Sequence, residues 1–214
     1  MSLYEMRRSY TLGTLLEKDI EADPMVQFRK WLAEAGEGPP PEWLEINAMT
    51  LSTCTPGGAV SSRIVLLKGL EEDKFWFYSN YTSRKAEEME QSPQVSLCFL
   101  WPHLQRQVRI EGTVAKAPRD ASERYFGSRP RASQLGAVVS NQSSVIPNRE
   151  ILEARLRELQ TRYAESEIPC PETWGGYCVS PSSIEFWQGR ESRLHDRIVY
   201  ESDGGQWKTR RLAP

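Results

Sequence analysis

The chain has 214 residues, 39% hydrophobic, 26% charged and 10% aromatic, with a formal net charge of −2. That length favours one domain with a real core, and 27 basic against 29 acidic residues give no global attraction to nucleic acid or an anionic membrane. No apolar run approaches the roughly 18 residues of a membrane helix, and four scattered cysteines without a CxxC support neither a disulfide framework nor a zinc site.

The start, MSLYEMRRSYTLGT, has no apolar stretch of the kind a secretory signal carries, so a cytoplasmic, thiol-reduced protein is expected. Residues 1–22 are polar and mixed in charge, and read as a mobile arm. Asp23 and Pro24 then form an N-cap and first helical residue. Met25, Phe28, Trp31, Leu32 and Ala35 follow at helical spacing and define one apolar face. GEGPPPEW ends that helix as a stiff loop.

From about residue 47 the period shortens. AMTLST, SRIVLLK, KFWFYS, QVSLCFLW and QVRIEGTVAK are β-branched or aromatic segments separated by turns, with Thr55-Pro56-Gly57-Gly58 as a hairpin signal between the first two. Val108, Ile110 and Val114 alternate with Gln107, Arg109, Glu111 and Thr113, which gives that strand a buried and an exposed face. Ser83 to Gln91 reads as a short helix. Leu152, Leu156, Leu159 and Tyr163 give residues 148–166 an amphipathic helix. Strands return as GGYCVS, SIEFWQ, RIVYES and QWKTRRL, with Asp203-Gly204-Gly205 turning the last pair. Strands, helices, then strands predict a mainly β, α+β protein: an antiparallel sheet or barrel with peripheral helices.

The nucleotide signatures GxGxxG and GxxxxGK[ST] are absent. Three local basic groupings remain: Arg63 and Lys68 around IVLL; Ser83-Arg84-Lys85 at a strand-to-helix junction; and Tyr125, Arg129, Arg131 and Ser133 around SRPRAS. A hydroxyl with Arg and Lys at a helix start suits a phosphate; each cluster alone reads better as a solvated element end, but three in a chain with no net positive charge favour at least one anion site. Arg63 and Lys68 are five apart, so a regular strand points them to opposite faces. Either a bulge or strand end lets both hold one anion, or two anions are bound. Arg193, His195 and Arg197 alternate, so an extended backbone puts all three on one side. His195 is then either a group set between two positive charges or a satisfied polar residue paired with Asp196 or the backbone.

SRIVLLKG, SRKAEE, RQVRIEG, YFGSRPRASQLGAVVSNQSS, WGGY, EFWQGRESRLHDR and the terminal RLAP resemble, in order and spacing, the pyridoxamine 5′-phosphate oxidase family. The likeness runs from about Arg7 to Pro214. It implies an antiparallel Greek-key split β-barrel over residues 23–214 and an N-terminal lid over residues 1–22. It also implies a homodimer with FMN at the subunit interface, and oxidation of pyridoxamine or pyridoxine 5′-phosphate by O2.

Carried over residue by residue, Arg63, Ile64, Val65, Leu66, Leu67 and Lys68 resemble an FMN-binding run, with Arg63 on the FMN phosphate and Lys68 also on the substrate phosphate. Tyr78, Ser79, Arg84, Lys85, Gln107, Trp187 and Arg197 resemble further FMN ligands, and Gln142 and Ser143 resemble ligands contributed by the second subunit. Tyr125, Arg129 and Ser133 match the substrate-phosphate set. Arg193, Leu194 and His195 match the substrate-facing segment, with Arg193 and His195 as catalytic candidates. Arg7 and Tyr10 match the lid. Glu45 stands where family members often carry aspartate. The alternatives are another split-barrel flavin reductase, which has no need of a small phosphate pocket, and a non-catalytic FMN or B6-phosphate binder, which the presence of Arg193 and His195 disfavours.

Overall fold

A computed structural model describes residues 2–6, 8–38 and 40–214. Helix α1, Pro24–Gly36, begins where Asp23 accepts from the Met25 and Val26 amides at 2.7 and 3.3 Å. Its buried Phe28 and Trp31 make edge-on contacts with Phe75, Phe99 and Phe186 at centroid distances of 4.9, 5.0 and 5.1 Å. Such ring pairs contribute about 0.5–1.5 kcal/mol each beyond area burial.

The strands are β1 (Ala48–Cys54), β2 (Val60–Leu66), β3 (Phe75–Asn80), β4 (Gln94–Trp101), β5 (Arg106–Lys116), β6 (Trp174–Gln188), β7 (Asp196–Asp203) and β8 (Gln206–Leu212). They form one antiparallel sheet in the order β2-β1-β4-β5-β6-β7-β8, with β3 paired to β6. The chain beyond β2 closes the curl onto β3, since the Lys68 amide donates to Trp76 O at 2.8 Å and the Trp76 amide to Gly69 O at 3.0 Å. Strands β3, β6, β5, β4, β1 and β2 thereby surround a core of Met49, Leu51, Phe77, Leu97, Phe99, Ile110, Val179 and Phe186.

GGYCVS and SIEFWQ, two strands by their sequence, are one continuous β6. Its first half pairs with β3 and its second with β7. Pro181 does not end it, because the register with β5 shifts between Glu111 and Gly112, a bulge that absorbs the irregularity. A Cβ on Gly112 would lie 2.3 Å from Ser180 O, so only glycine permits that approach.

Helix α2 (Arg84–Gln91) follows β3, and α3 (Arg119–Ser128), α4 (Arg131–Val139) and α5 (Glu150–Arg162) lie between β5 and β6. Helices α3, α4 and α5 pack a second cluster of Phe126, Leu135, Val139, Leu159, Ile168 and Trp174, whereas α2 buries Ala86 and Met89 in the barrel core. The arm is not free along its length. The Thr11 and Leu12 amides donate to Gln105 Oε1, the buried Leu15 donates to Asp196 Oδ2, and Arg211 holds Glu17. No helix among the described residues is long and apolar enough to cross a membrane.

Candidate functional site

A cleft of about 730 Å3 is lined by Arg63, Ile64, Val65, Leu66, Lys68, Tyr78, Ser79, Arg84, Lys85, Tyr125, Arg129, Pro130, Ser133, Gln142, Ser143 and Trp174. Arg63 and Lys68 share it because β2 stops at Leu66, so the alternation that would oppose them ends before Lys68. Leu67, carried along with the run, is a correction. Its side chain is in the core, and Asn47 uses both its amide and its carbonyl, which leaves it nothing to offer a ligand.

The first basic group gathers where β3 gives way to α2. Lys85 is buried, and its ammonium donates to Gln142 Oε1 at 2.7 Å, Ser79 Oγ at 3.0 Å and Ser83 Oγ at 3.2 Å. No ion pair reaches it among the described residues. Burial, with Arg63 adding repulsion, brings its pKa down to about 8. Ser143, at φ +74°, accepts from the Arg84 amide at 3.2 Å. Gln142 and Ser143 therefore meet Ser79, Arg84 and Lys85 of their own protomer, which corrects the expectation that they reach this group from a second subunit.

The second basic group sits at the junction of α3 and α4. The residue before a proline is driven to extended backbone, and Arg129, at φ −73° and ψ 149°, ends α3 ahead of Pro130. Its guanidinium is thereby laid over the Trp174 ring at 4.8 Å, and Nη1 is buried without a partner among the described residues. Burial lowers its pKa. Tyr78, Tyr125 and Trp174 stack beside it, Tyr78 on Tyr125 at 3.9 Å and 21°. A buried ammonium with no direct ion pair and a buried guanidinium nitrogen with no acceptor, both among the described residues, together with a stack of flat rings fit planar, phosphate-bearing molecules. Trp174 and Pro130 were missed as single residues; WGGY and SRPRAS were the signals that contained them.

The remaining candidates lie elsewhere on the protomer. Gln107, Trp187 and Arg197 are direct cross-strand neighbours on β5, β6 and β7. The Arg197 fork holds Glu185 at 2.7 and 3.1 Å. Tyr10, Trp187, Arg193 and His195 line a second cleft of about 520 Å3 that shares no lining residue with the first. Leu194 is exposed beside it.

The expected alternation of Arg193, His195 and Arg197 fails. Ser192 and Arg193 adopt φ +55° and +61° in a 3-10 turn, so the backbone is not extended there. His195 Nδ1 accepts from the Arg190 amide at 3.1 Å, so the backbone partner is the one realised. An amide can only donate, so Nδ1 is the acceptor and a neutral ring carries its proton on Nε2. Tyr10 lies edge-on to Trp187 and His195 at 5.8 and 5.7 Å. Arg7 falls outside the described residues.

Residues 41–163 match the family model described as pyridoxamine 5′-phosphate oxidase, and residues 174–214 match a pyridoxine 5′-phosphate oxidase C-terminal dimerisation region. The chain is 58% identical over 214 residues to a Rhodopirellula baltica protein named pyridoxine/pyridoxamine 5′-phosphate oxidase, covering 98% of this chain and 96% of that one. A Leptospira interrogans protein of the same name is 52% identical over 211 residues, covering 98% and 97%. Among solved structures, PhzG from Burkholderia lata in complex with tetrahydrophenazine-1-carboxylic acid matches with TM-score 0.88 at 28% identity, over 95% of this chain and 99% of that one. A pyridoxamine 5′-phosphate oxidase-related, FMN-binding protein from Nostoc punctiforme shares the fold, with TM-score 0.69 at 18% identity over 87% and 97%.

Proposed function

The chain belongs to the pyridoxamine 5′-phosphate oxidase family, and from that premise we propose that it oxidises pyridoxine or pyridoxamine 5′-phosphate to pyridoxal 5′-phosphate. The observation that carries this reading is the single cleft lined by both basic groups, Arg63, Arg84 and Lys85 with Lys68, Tyr125, Arg129 and Ser133. Two phosphate-bearing molecules, FMN and the substrate, account for two groups of cations in a chain with no net positive charge.

In this reading Arg63, Arg84 and Lys85 hold the FMN phosphate, with Ser79, Gln142 and Ser143 completing its surroundings. The redox chemistry would come from bound FMN, by acceptance of a hydride from substrate C4′ and its return to O2 as hydrogen peroxide. The protein's own tasks are to bind the substrate phosphate through Lys68, Tyr125, Arg129 and Ser133, orient the ring, and exclude water. An amine substrate leaves ammonia after hydrolysis. A flavin reductase of the same fold has no use for the Arg129 group, which favours the oxidase.

The active unit is a homodimer. The matched dimerisation region carries Trp187, Arg193, His195 and Arg197, and these lie apart from the main cleft. A partner subunit supplying them would complete the site, with FMN at the interface. The direct test is the visible spectrum of purified protein mixed anaerobically with pyridoxine 5′-phosphate. Bleaching of a yellow protein is expected; a spectrum that only a nicotinamide donor bleaches would overturn the oxidase reading.

A further inference from the structure

Glu88, on α2, is a carboxylate set behind Arg63 and Arg84 of the cleft wall, and nothing in the proposed chemistry uses it. It is only 4% exposed. Oε2 accepts from Thr53 Oγ1 at 2.5 Å, from Ser61 Oγ at 2.6 Å and from Arg63 Nη2 at 3.3 Å, while Oε1 accepts from Arg84 Nε at 2.8 Å. The two hydroxyls are not merely neighbours. Thr53 Oγ1 and Ser61 Oγ also accept from Arg63 Nη1 and Nη2, at 2.6 and 2.5 Å. Each therefore relays one guanidinium hydrogen bond on to the carboxylate. Leu51 O takes a further Nη1 bond at 3.2 Å.

The consequence lies in which nitrogens remain. Arg63 is fixed through its two terminal nitrogens and Arg84 through Nε alone. Among the described residues, Arg63 Nε and both terminal nitrogens of Arg84 have no protein acceptor. The Arg84 side chain is 67% exposed, so without Glu88 it would sample many rotamers, and ordering so long a side chain on binding would oppose the ligand by conformational entropy. A buried acidic group beside an anion site opposes the anion by charge. Here it also leaves Arg63, Arg84 and Lys85 with a combined charge that matches a phosphate dianion.

We propose that Glu88 is a positioning residue for the cofactor phosphate, holding Arg63 and Arg84 in one arrangement with their unclaimed N–H groups available to it. The inference rests on the reading that this cleft binds FMN. Burial by itself would raise the Glu88 pKa, but hydrogen bonds from Ser61, Thr53 and Arg84 outweigh it and hold the group at about 2. The carboxylate therefore keeps its charge through the working range of pH.

The test compares FMN with riboflavin, which lacks the phosphate, by flavin fluorescence titration of apo wild type, Glu88→Ala and Glu88→Gln. Glu88→Ala should weaken FMN binding roughly tenfold, the equivalent of one charge-assisted hydrogen bond, and leave riboflavin within about twofold. Glu88→Gln keeps an oxygen for Arg84 Nε and should recover part of the loss. If the alanine variant fails to fold, the FMN-to-riboflavin ratio of the glutamine variant decides alone. Equal weakening of both flavins would make Glu88 merely structural, and unchanged or tighter FMN binding would make it idle or a competitor of the phosphate; either overturns the proposal. A wild type that does not prefer FMN to riboflavin would instead refute the underlying assignment of the cleft.

Discussion

Lys85 Nζ donates to Gln142 Oε1 at 2.7 Å across 57 residues of chain, tying the start of α2 to the turn that follows α4. All three ammonium protons are spent on neutral oxygens, and burial together with Arg63 brings its pKa to about 8. A phosphate would supply a direct counter-charge, where Glu88 acts on the ammonium only at a distance. The apo protein binds the Lys85 proton less tightly than the unfolded chain does. Its stability is therefore diminished below about pH 8 and recovers as pH rises towards the ordinary lysine pKa. FMN binding runs the other way, because the phosphate favours the protonated amine. Above about pH 8 the apparent Kd for FMN should rise, approaching tenfold per unit for one linked proton. Calorimetry at pH 9 in buffers of different ionisation enthalpy should register proton uptake on binding. A pH-independent affinity with no uptake would show that Lys85 does not meet the phosphate.

The Arg190 amide bond to His195 Nδ1 leaves Nε2–H as the only hydrogen the neutral ring can donate. His195→Ala should slow flavin reduction by pyridoxine 5′-phosphate about a hundredfold or more, within the roughly 10²–10⁴-fold span of a positioned proton-transfer group. FMN content should not change. His195→Asn, which can keep an acceptor for Arg190, separates loop order from proton donation. Equal recovery of rate by asparagine would reduce His195 to an anchor for the turn.

Much of this architecture was legible because its signals are local. The N-cap at Asp23, the alternation through Val108 and Ile110 and the short helix after Ser83 each depend on a few adjacent residues. What was not legible is what the sheet does to those residues. GGYCVS and SIEFWQ read as two strands, yet the bulge at Glu111/Gly112 carries one strand through Pro181. Arg193 belonged by parity with His195 and Arg197 until two left-handed residues interrupted the period. Glu88 was legible only as the i,i+4 partner of Arg84 within SRKAEE, since Thr53 and Ser61 lie 35 and 27 residues away and meet it only once β1, β2 and α2 are packed. The family resemblance named Arg63 and Arg84, but not the carboxylate that sets them.

Gly189 offers a steric test of the arm. A Cβ there would lie 2.8 Å from Tyr10 Cγ and 3.2 Å from Gln105 Cβ. Gln105 also holds the Thr11 and Leu12 amides, so the space is bounded on two sides. Gly189→Ala should displace Tyr10 from Trp187 and His195. Overpacking of this kind costs about 1–3 kcal/mol, here borne mainly by the arm. The expected result is a severalfold rise in KM for the phosphorylated substrate with FMN content unchanged. Limited proteolysis should cut the arm faster in the variant; unaltered cleavage and kinetics would show that Tyr10 does not cover the site.

Arg129 gives the sharpest separation between the two basic groups. Pro130 sets its backbone, Trp174 supports its guanidinium at 4.8 Å, and Nη1 is buried without an acceptor among the described residues. An unpartnered buried donor is costly to keep, and a phosphate oxygen would satisfy it. Charge-assisted hydrogen bonds contribute about 1.5–3 kcal/mol each, so Arg129→Ala should raise KM for pyridoxine 5′-phosphate by roughly tenfold to a hundredfold. The fall in kcat should be smaller if the ring still stacks. FMN content should hold, because that phosphate is assigned to Arg63, Arg84 and Lys85. Arg129→Lys keeps the charge but loses the planar fork over Trp174, and should recover only part of the affinity. Unphosphorylated pyridoxine should be a poor substrate for wild type and hardly worse for Arg129→Ala. Steady-state kinetics on both substrates, with FMN quantified in each preparation, makes the comparison. If both substrates suffered equally, Arg129 would be shaping the cleft as a whole, and the substrate phosphate would have to be sought at Lys68 and Ser133 alone.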